Sequence, residues 1–323
     1  MPVFEMPLEK LYQYDGRNPR PADFDDYWQE AMREMRACRP AVEIQPAGFQ
    51  APFAECFNLY FTGVRGARIH AKYVRPRTGS GEPAAPGPAL LQFHGYTMDS
   101  GDWADKLPYA AAGFSVVSLD CRGQGGLSED VGGVSGNTHH GHIIRGVRDN
   151  PQDLLFRHIF LDTAQLASIV MEFPDVDPDR VAVMGWSQGG GLALACAALV
   201  PQVQRVISVY PFLCDYRRVW DMDLAEKAYG EIVDYFRRFD PRHEHEEEFY
   251  YRLGYIDVQY LAPRIRGEVL MATALMDTIC PPSTQFAAFN KIPGKKSVKL
   301  YHDFGHENLP GMHDITFSFL QSL

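Results

Sequence analysis

The segment that most constrains the fold of this chain is the run VAVMGWSQGGGLALACAAL at residues 181–199. Four apolar residues lead into the pattern GWSQG, and a run of small residues typical of a helix follows at once. A strand, a sharp turn and a helix around G-x-S-x-G are typical of a nucleophile elbow, in which glycines let neighbouring backbone approach closely. The segment therefore predicts Ser187 as a nucleophile. The alternative is an ordinary serine in a glycine-rich turn.

Length and composition indicate a chain that can bury a large core. It has 323 residues, 46% of them hydrophobic, and a net charge of −10 without a long basic run. Nucleic acid and anionic membranes are therefore not expected as partners. We find no apolar stretch of about 20 residues to span a bilayer, and no signal peptide pattern. Six scattered cysteines without a C-x-x-C pair favour reduced thiols and a cytoplasmic location.

Strand and helix patterns alternate along the chain, which predicts an α/β fold with a mostly parallel, doubly wound sheet and helices on both faces. Helical spacing of apolar residues appears at 21–36, 155–173 and 312–323, besides the helix of the elbow. Strand patterns appear at 57–74, where two strands flank a turn, and at 89–93, 114–119, 181–184, 205–210, 268–274 and 297–301.

We expect a single domain over residues 1–323, with an N-terminal helical segment at 1–45 packed on it. Residues 215–264 interrupt the alternation of strands and helices; they are rich in Tyr, Arg and Glu and have a helical pattern. Because α/β sheets bind their ligands at the carboxyl ends of the strands, we interpret this stretch as a cap inserted over that edge.

A serine nucleophile needs a base and a carboxylate that orients the base. In a hydrolase built on such an elbow these follow in the order Ser, Asp, His, each on a loop after a strand. Asp277 follows the strand pattern at 268–274, and His306 follows the last one. Asp303 is the rival carboxylate, but it shares a loop with the histidine. The other histidines near this end, His302 and His313, lie in a predicted strand and at the start of a predicted helix.

An oxyanion hole needs two backbone N–H groups directed at the developing charge. One is expected from Gln188, the residue after the nucleophile, and the other from the loop after an early strand. His94-Gly95-Tyr96 occupies that loop, and the Tyr96 N–H is the candidate. The Tyr96 ring is also a candidate wall of a small acyl pocket, or an aromatic that only packs against the loop.

Two other kinds of site are not supported by their spacing. The stretch from Gly123 to Ser128 follows a strand but lacks the third glycine and the helix of a dinucleotide fingerprint. The histidines at 139–142 and 243–246 lack the H-E-x-x-H spacing that sets two metal ligands on one helical face. We therefore expect neither a cofactor nor a metal.

Several motifs occur in order and with appropriate separations along nearly the whole chain. They are RGQ at 122–124, GWSQG at 185–189 and HE at 306–307, with PLEKLYQYDGRNPRPADFDDYW, FHGYTMDSGDW, YPFLCDYRRVW and MDTICPPSTQFAAFN between and before them. In these motifs the chain resembles the acetyl xylan esterase/cephalosporin C deacetylase family, carbohydrate esterase family seven of the α/β-hydrolases.

The resemblance implies that Ser187, Asp277 and His306 match the family triad, and that Tyr96 and Gln188 match its oxyanion hole. It also implies an intracellular enzyme without a metal that removes acetyl groups from short xylo-oligosaccharides and from cephalosporin C. Family members are usually hexamers, trimers of dimers, and we would expect an interface segment near residues 125–148. Arg122 and Gln124 are expected to have structural roles, because a guanidinium fork can tie adjacent loops together.

The resulting hypothesis is a serine esterase for small acetylated carbohydrates. Ile279, two residues after Asp277, is a candidate for closing the acyl pocket against longer chains. Three alternatives stay open: a short-chain carboxylesterase, a peptidase of the same fold, and a catalytically silent oligomeric binding protein on this scaffold.

Overall fold

In the computed structural model, which describes residues 4–77, 85–131 and 142–323, the chain forms a nine-stranded sheet. Its spatial order is β1-β2-β3-β5-β4-β6-β7-β8-β9. The strands are β1 Glu43–Pro46, β2 Ala54–Thr62, β3 Arg68–Pro76, β4 Gly87–Phe93, β5 Ser115–Leu119, β6 Val176–Trp186, β7 Arg205–Val209, β8 Glu268–Ala274 and β9 Lys296–Tyr301.

Helices connect most of the strands and cover the sheet. They are α1 Leu8–Leu11, α2 Phe24–Ala37, α3 Leu107–Ala111, α4 Leu155–Met171, α5 Gln188–Leu199, α6 Tyr216–Asp221, α7 Gly230–Phe239, α8 Glu246–Leu253, α9 Val258–Leu261, α10 Pro282–Lys291 and α11 Met312–Leu320. None of the helices in the described ranges is both long enough and apolar enough to cross a membrane.

The sheet has an antiparallel part and a parallel part. The pairings β1–β2, β2–β3 and β3–β5 are all antiparallel. From β5 to β9 every pairing is parallel. Parallel strands are connected by crossovers that put helices on both faces, so they carry continuous apolar runs. The carboxyl ends of β4, β6, β7, β8 and β9 therefore meet at one edge of the sheet.

Buried side chains form one core on each face of the sheet. The larger core contains side chains from α2, α4, α5 and α10 and from the helices between β7 and β8. The smaller core lies on the opposite face and contains side chains from α3 and α11. Helix α5 is buried along its whole length, because it packs against the sheet on one side and α4 and α9 on the other.

The N-terminal segment packs on the larger core through α2. Its apolar face is buried, with Trp28 stacked on Phe160 at a centroid distance of 5.9 Å. The Trp28 indole N–H donates to the carbonyl of Tyr255, in the stretch between β7 and β8. The buried carboxylate of Asp215, at the start of that stretch, accepts the hydroxyl of Tyr14 at 2.7 Å. The N-terminal segment and the stretch at 215–264 are thus in contact with each other.

Most of the predicted strands and helices are present, with ends that differ by a few residues. The predicted pair at 57–74 extends further on both sides as β2 and β3, and the predicted elbow strand is longer as β6. The four-residue strand β1 and the helices α1, α3 and α10 were not predicted. Residues 132–141, which include most of the histidine run at 139–142 and part of the expected interface segment at 125–148, lie outside the described residues.

Candidate active site

The turn between β6 and α5 holds Ser187 in a backbone conformation that few non-glycine residues adopt. Its φ is 55° and its ψ is −119°. A Cβ atom on Gly185 would lie 2.2 Å from the carbonyl carbon of Gly189, and one on Gly189 would lie 2.0 Å from the carbonyl oxygen of Phe93. Only glycine fits at these two positions, which is the close approach expected of a nucleophile elbow.

Three side chains from three loops form a continuous hydrogen-bonded relay. The Oγ of Ser187 lies 3.0 Å from Nε2 of His306, and Nδ1 of His306 lies 2.8 Å from Oδ2 of Asp277. Ser187 follows β6, Asp277 follows β8 and His306 follows β9, so parallel strands bring residues distant in sequence to one edge of the sheet. The arrangement provides a nucleophile, a base and a carboxylate that orients the base.

The carboxylate of Asp277 is fully buried and held by backbone donors. Its Oδ1 accepts the N–H groups of Ile279 at 2.9 Å and Cys280 at 2.8 Å, which leaves Oδ2 for His306. Its rival in the sequence, Asp303, lies on the exposed loop after β9. The described contacts therefore join the imidazole to Asp277.

The two backbone N–H groups predicted to form an oxyanion hole belong to Gln188 and Tyr96. Gln188 is the first residue of α5, and Tyr96 lies in the loop after β4. Among the described residues, neither N–H donates a hydrogen bond to a protein group. Two free donors beside a nucleophile can bind the oxygen of a tetrahedral intermediate.

The loops that carry these donors are tied together by Gln124. Its side-chain amide donates to Oε1 of Gln188 at 2.8 Å, and its Oε1 accepts Nε2 of Gln188 at 3.0 Å. The same oxygen accepts the N–H of Thr97 at 3.0 Å, directly after Tyr96. The sequence predicted a structural role for Gln124, and its hydrogen bonds link the start of α5 to the loop after β4.

Arg122, the neighbouring signature residue, is fully buried and pairs with Asp162 of α4. Its Nε and Nη2 contact the two carboxylate oxygens at 2.7 and 2.6 Å. A Cβ atom on Gly63 would lie within 3 Å of both side chains, so the pair also fixes the β2–β3 turn. This fork joins three parts of the fold, and none of its contacts given above involves Ser187, Asp277 or His306.

Other ionisable groups beside the relay are neutral. Burial, with the Asp277 carboxylate close by, raises the pKa of the Cys280 thiol well above its usual value. Burial raises the pKa of Tyr210 to about 12, and its ring packs against the imidazole of His306 at 4.5 Å. Burial lowers the pKa of His94. Its Nδ1 donates to the carbonyl of Gly95, and its Nε2 accepts the N–H of Cys121. None of these three competes with Ser187 for the base.

Asp277, Cys280 and His306 are also the one group in the described residues whose ligand atoms, all within 4.8 Å of one another, could hold a metal. The hydrogen bonds described above already occupy both carboxylate oxygens of Asp277 and Nδ1 of His306. Metal ligation requires the Cys280 thiolate, which its raised pKa disfavours. The donor set therefore fits proton transfer better than metal binding.

The two predicted pocket residues lie at the edge of the larger core. The Tyr96 ring contacts Phe212 at a centroid distance of 5.5 Å, and Phe212 contacts Tyr229 at 4.4 Å. Ile279 is half-buried against the same core. The Tyr96 hydroxyl is buried without a hydrogen-bond partner in the described part of the chain.

A cavity of about 920 Å³ is lined by Ser187 but, among the described residues, by neither Tyr96 nor Ile279. Trp186 and His313 form part of its wall with stacked rings 5.4 Å apart. No residue of 215–264 is among the described residues that line it, so the role of that stretch as a cap remains a prediction. Sequence reasoning missed the position of Trp186, although an aromatic residue directly before the nucleophile is the signal that could have found it.

Comparison with known proteins places the whole chain in one group. The family model described as acetyl xylan esterase (AXE1) matches residues 1–323. The crystal structure of acetyl xylan esterase 1 from Thermoanaerobacterium sp. JW/SL YS485 is 61% identical, with a TM-score of 0.96 over 98% of this chain and 99% of that one. The acetyl xylan esterase from Paenibacillus sp. R4 is 35% identical, with a TM-score of 0.92 over the same shares.

A curated relative is more distant. The acetyl esterase Axe7A of Xylanibacter ruminicola is 24% identical over 286 residues, which are 85% of this chain and 61% of that protein. The chain thus spans about three fifths of the length of this relative. The sheet order and the structural matches confirm the α/β-hydrolase fold predicted from the elbow and the strand pattern. The chain belongs to the acetyl xylan esterase family.

Proposed function

We propose that this protein is a serine hydrolase that removes acetyl groups from small acetylated carbohydrates. The observation that carries the proposal is the relay from Ser187 through His306 to Asp277, with distances of 3.0 and 2.8 Å. His306 takes the proton of Ser187 as its Oγ bonds to the acetyl carbon. The same imidazole, oriented by Asp277, then gives the proton to the departing sugar oxygen. Family membership supports the acetyl ester as the bond that is cleaved.

The free N–H groups of Tyr96 and Gln188 bind the oxyanion of each tetrahedral intermediate. Fixed donors of this kind stabilise the transition state because no reorganisation is needed when charge develops. Water then attacks the acetyl-enzyme as His306 accepts its proton, and acetate leaves with Ser187 restored. The positive φ at Ser187 exposes its Oγ for both steps.

The acyl pocket is assigned to the side of Ser187 where Tyr96 and Ile279 lie. Tyr96 packs against Phe212 and Ile279 lies at the edge of the same core, so large apolar side chains leave little room there. An acetyl group is the smallest common acyl group, and a tight pocket rejects longer ones.

Acetylated xylo-oligosaccharides and cephalosporin C are the proposed substrates, since both present a small acetyl ester on a larger alcohol. We also propose a cytoplasmic location and a homohexamer, a trimer of dimers, without nucleic acid or membrane partners. All six cysteines are free, five of them buried, which fits a reducing compartment. The hexamer is supported by the resemblance in sequence motifs alone.

The proposal is tested by acetate release from acetylated xylo-oligosaccharides and cephalosporin C, with Ser187→Ala as the matched variant. We expect release by the wild type and a loss of about 10⁴-fold or more in kcat for the variant, since the relay acts as a unit. A fluorophosphonate probe should label the wild type and not the variant. A folded wild type that neither releases acetate nor takes up the probe would favour the silent binding protein.

A further inference from the structure

The cavity beside Ser187 is too large for the acyl group of the proposed reaction. Its volume is about 920 Å³, at the upper end of the range for pockets that bind drug-sized ligands. An acetyl group contributes only two carbons and one oxygen. Because Ser187 lines the cavity, an ester positioned for attack places its larger, alcohol part in this space.

One wall of the cavity is aromatic. Trp186 directly precedes the nucleophile, and its indole stacks on the ring of His313 at 5.4 Å and 22°. Trp186 is half-buried and His313 is exposed, so the stacked pair reaches from the sheet edge to the solvent. Phe317, one turn further along α11, lines the same space. A flat apolar wall of this kind favours a ligand with a flat apolar face.

Two acidic side chains line the cavity near its opening. Asp105 precedes α3 and Asp314 lies in the first turn of α11, and both are exposed. In the described part of the chain, neither carboxylate forms a hydrogen bond or an ion pair with the protein. Unpaired carboxylates can accept hydrogen bonds from a polyol and repel an anion.

We propose that this cavity is the alcohol-side subsite, which binds one pyranose ring of the acetylated sugar. The C–H face of the ring packs against Trp186 and His313, and its hydroxyls donate to Asp105 and Asp314. The proposal rests on the proposed function and adds the residues that select the sugar. It also implies that neutral sugar acetates are preferred over acetate esters that carry carboxylates, such as cephalosporin C.

The experiment compares a sugar acetate with an ester whose alcohol is too small to reach the wall. Substrates are acetylated xylobiose and ethyl acetate; variants are Trp186→Ala, Trp186→Phe and His313→Ala. We expect Trp186→Ala to raise KM for acetylated xylobiose about tenfold and to lower kcat/KM for acetylated xylobiose several-fold more than kcat/KM for ethyl acetate. Trp186→Phe should restore most of the sugar affinity, and His313→Ala should repeat the effect more weakly.

Trp220→Ala is the matched control. Trp220 also contacts a histidine ring, His243, at a centroid distance of 5.6 Å, but it is in α6 and does not line the cavity. Trp220→Ala should leave KM and kcat/KM unchanged for both acetylated xylobiose and ethyl acetate. Unchanged KM for acetylated xylobiose in Trp186→Ala and His313→Ala would overturn the subsite, and so would equal losses on both substrates in these variants. Efficient cleavage of ethyl hexanoate that depends on Trp186 would place the acyl chain in the cavity and would also overturn it.

The role of the two carboxylates is tested with a negatively charged substrate. Asp105→Asn combined with Asp314→Asn should raise kcat/KM for cephalosporin C relative to acetylated xylobiose by about threefold at low salt, with less effect at high salt. An unchanged ratio contradicts the role of the two carboxylates.

Binding of unacetylated xylobiose to Ser187→Ala, measured by calorimetry, separates the subsite from the reaction. If the wild type releases no acetate but xylobiose still binds and Trp186→Ala abolishes binding, the proposed function fails and the sugar subsite stands. If acetate is released from acetylated xylobiose but Trp186 has no influence on binding or KM, the proposed function stands and the sugar subsite fails.

Discussion

A single glutamine couples the two donors of the candidate oxyanion hole. Gln124 exchanges two amide hydrogen bonds with Gln188 and accepts the N–H of Thr97 through the same oxygen. Thr97 has a φ of 62°, a left-handed conformation that threonine rarely adopts unless neighbouring contacts hold it. The position of the Tyr96 N–H therefore depends on the side chain of Gln124.

Gln124→Ala should lower kcat for acetate release about tenfold and leave KM within about twofold. Loss of a direct oxyanion donor costs about 10²–10³-fold in kcat, and a displaced donor costs less. A separation of kcat from KM identifies a role in the transition state, because general loosening of the fold would change both. Gln202→Ala, at an exposed glutamine outside the site, is the control. An unchanged kcat in a folded Gln124→Ala would contradict this role.

At the scale of elements, the fork between Arg122 and Asp162 joins the loop after β5 to α4 and to the β2–β3 turn. Both side chains are at most 1% exposed, and the two contacts are 2.7 and 2.6 Å. A third contact from the guanidinium reaches the carbonyl of Val64 at 3.4 Å. Burial of two charges is costly, so removal of one partner leaves the other charge without compensation.

Asp162→Asn should therefore lower the free energy of unfolding by about 3–5 kcal/mol, measured by urea denaturation. The control is Asp234→Asn in α7, which removes the carboxylate of a partly exposed pair with Arg238 at 3.8 Å. Asp234→Asn should lower the free energy of unfolding by less than about 1 kcal/mol, because solvent screens the pair. Similar losses in the two variants would show that the buried fork does not fix these elements.

The elements that could be predicted are those whose burial leaves a pattern in the sequence. The parallel strands are apolar because both faces are covered. The elbow is recognisable because a Cβ atom on Gly185 or Gly189 would lie about 2 Å from neighbouring backbone, so both positions require glycine. Strand β1 has four exposed residues and therefore lacks a burial pattern. Helix α10, which was not predicted, starts at Pro282 directly after another proline, although proline is compatible with a first helical turn.

At the candidate site, sequence order was sufficient to name the relay residues, because each loop follows a parallel strand. It could not show the side-chain links between loops. Gln124 and Gln188 are 64 residues apart, and Trp186 and His313 lie on different elements. Such contacts depend on the packing of the whole molecule. The wall of the cavity was therefore missed even though the nucleophile beside it was predicted.

At the scale of the whole molecule, the buried histidine of α4 makes stability depend on pH. His158 is 6% exposed, and its Nε2 lies 3.0 Å from the carbonyl oxygen of Gln152. Burial, assisted by the guanidinium groups of Arg122, Arg65 and Arg157, lowers its pKa to about 3. Its ordinary pKa is 6.5, so below this pH the unfolded chain binds a proton that the folded protein does not bind.

The free energy of unfolding should therefore fall as the pH decreases from 6.5 towards 3, with a contribution from His158 of about 2 kcal/mol between pH 7 and pH 5. His158→Gln cannot be protonated and should be less stable than the wild type at pH 7, but its stability should decrease less over this interval. Urea denaturation at both pH values measures the difference. His302→Gln, at an exposed histidine, should retain the wild-type slope. If His158→Gln loses as much stability between pH 7 and pH 5 as the wild type, the neutral buried imidazole is not the source of the acid sensitivity.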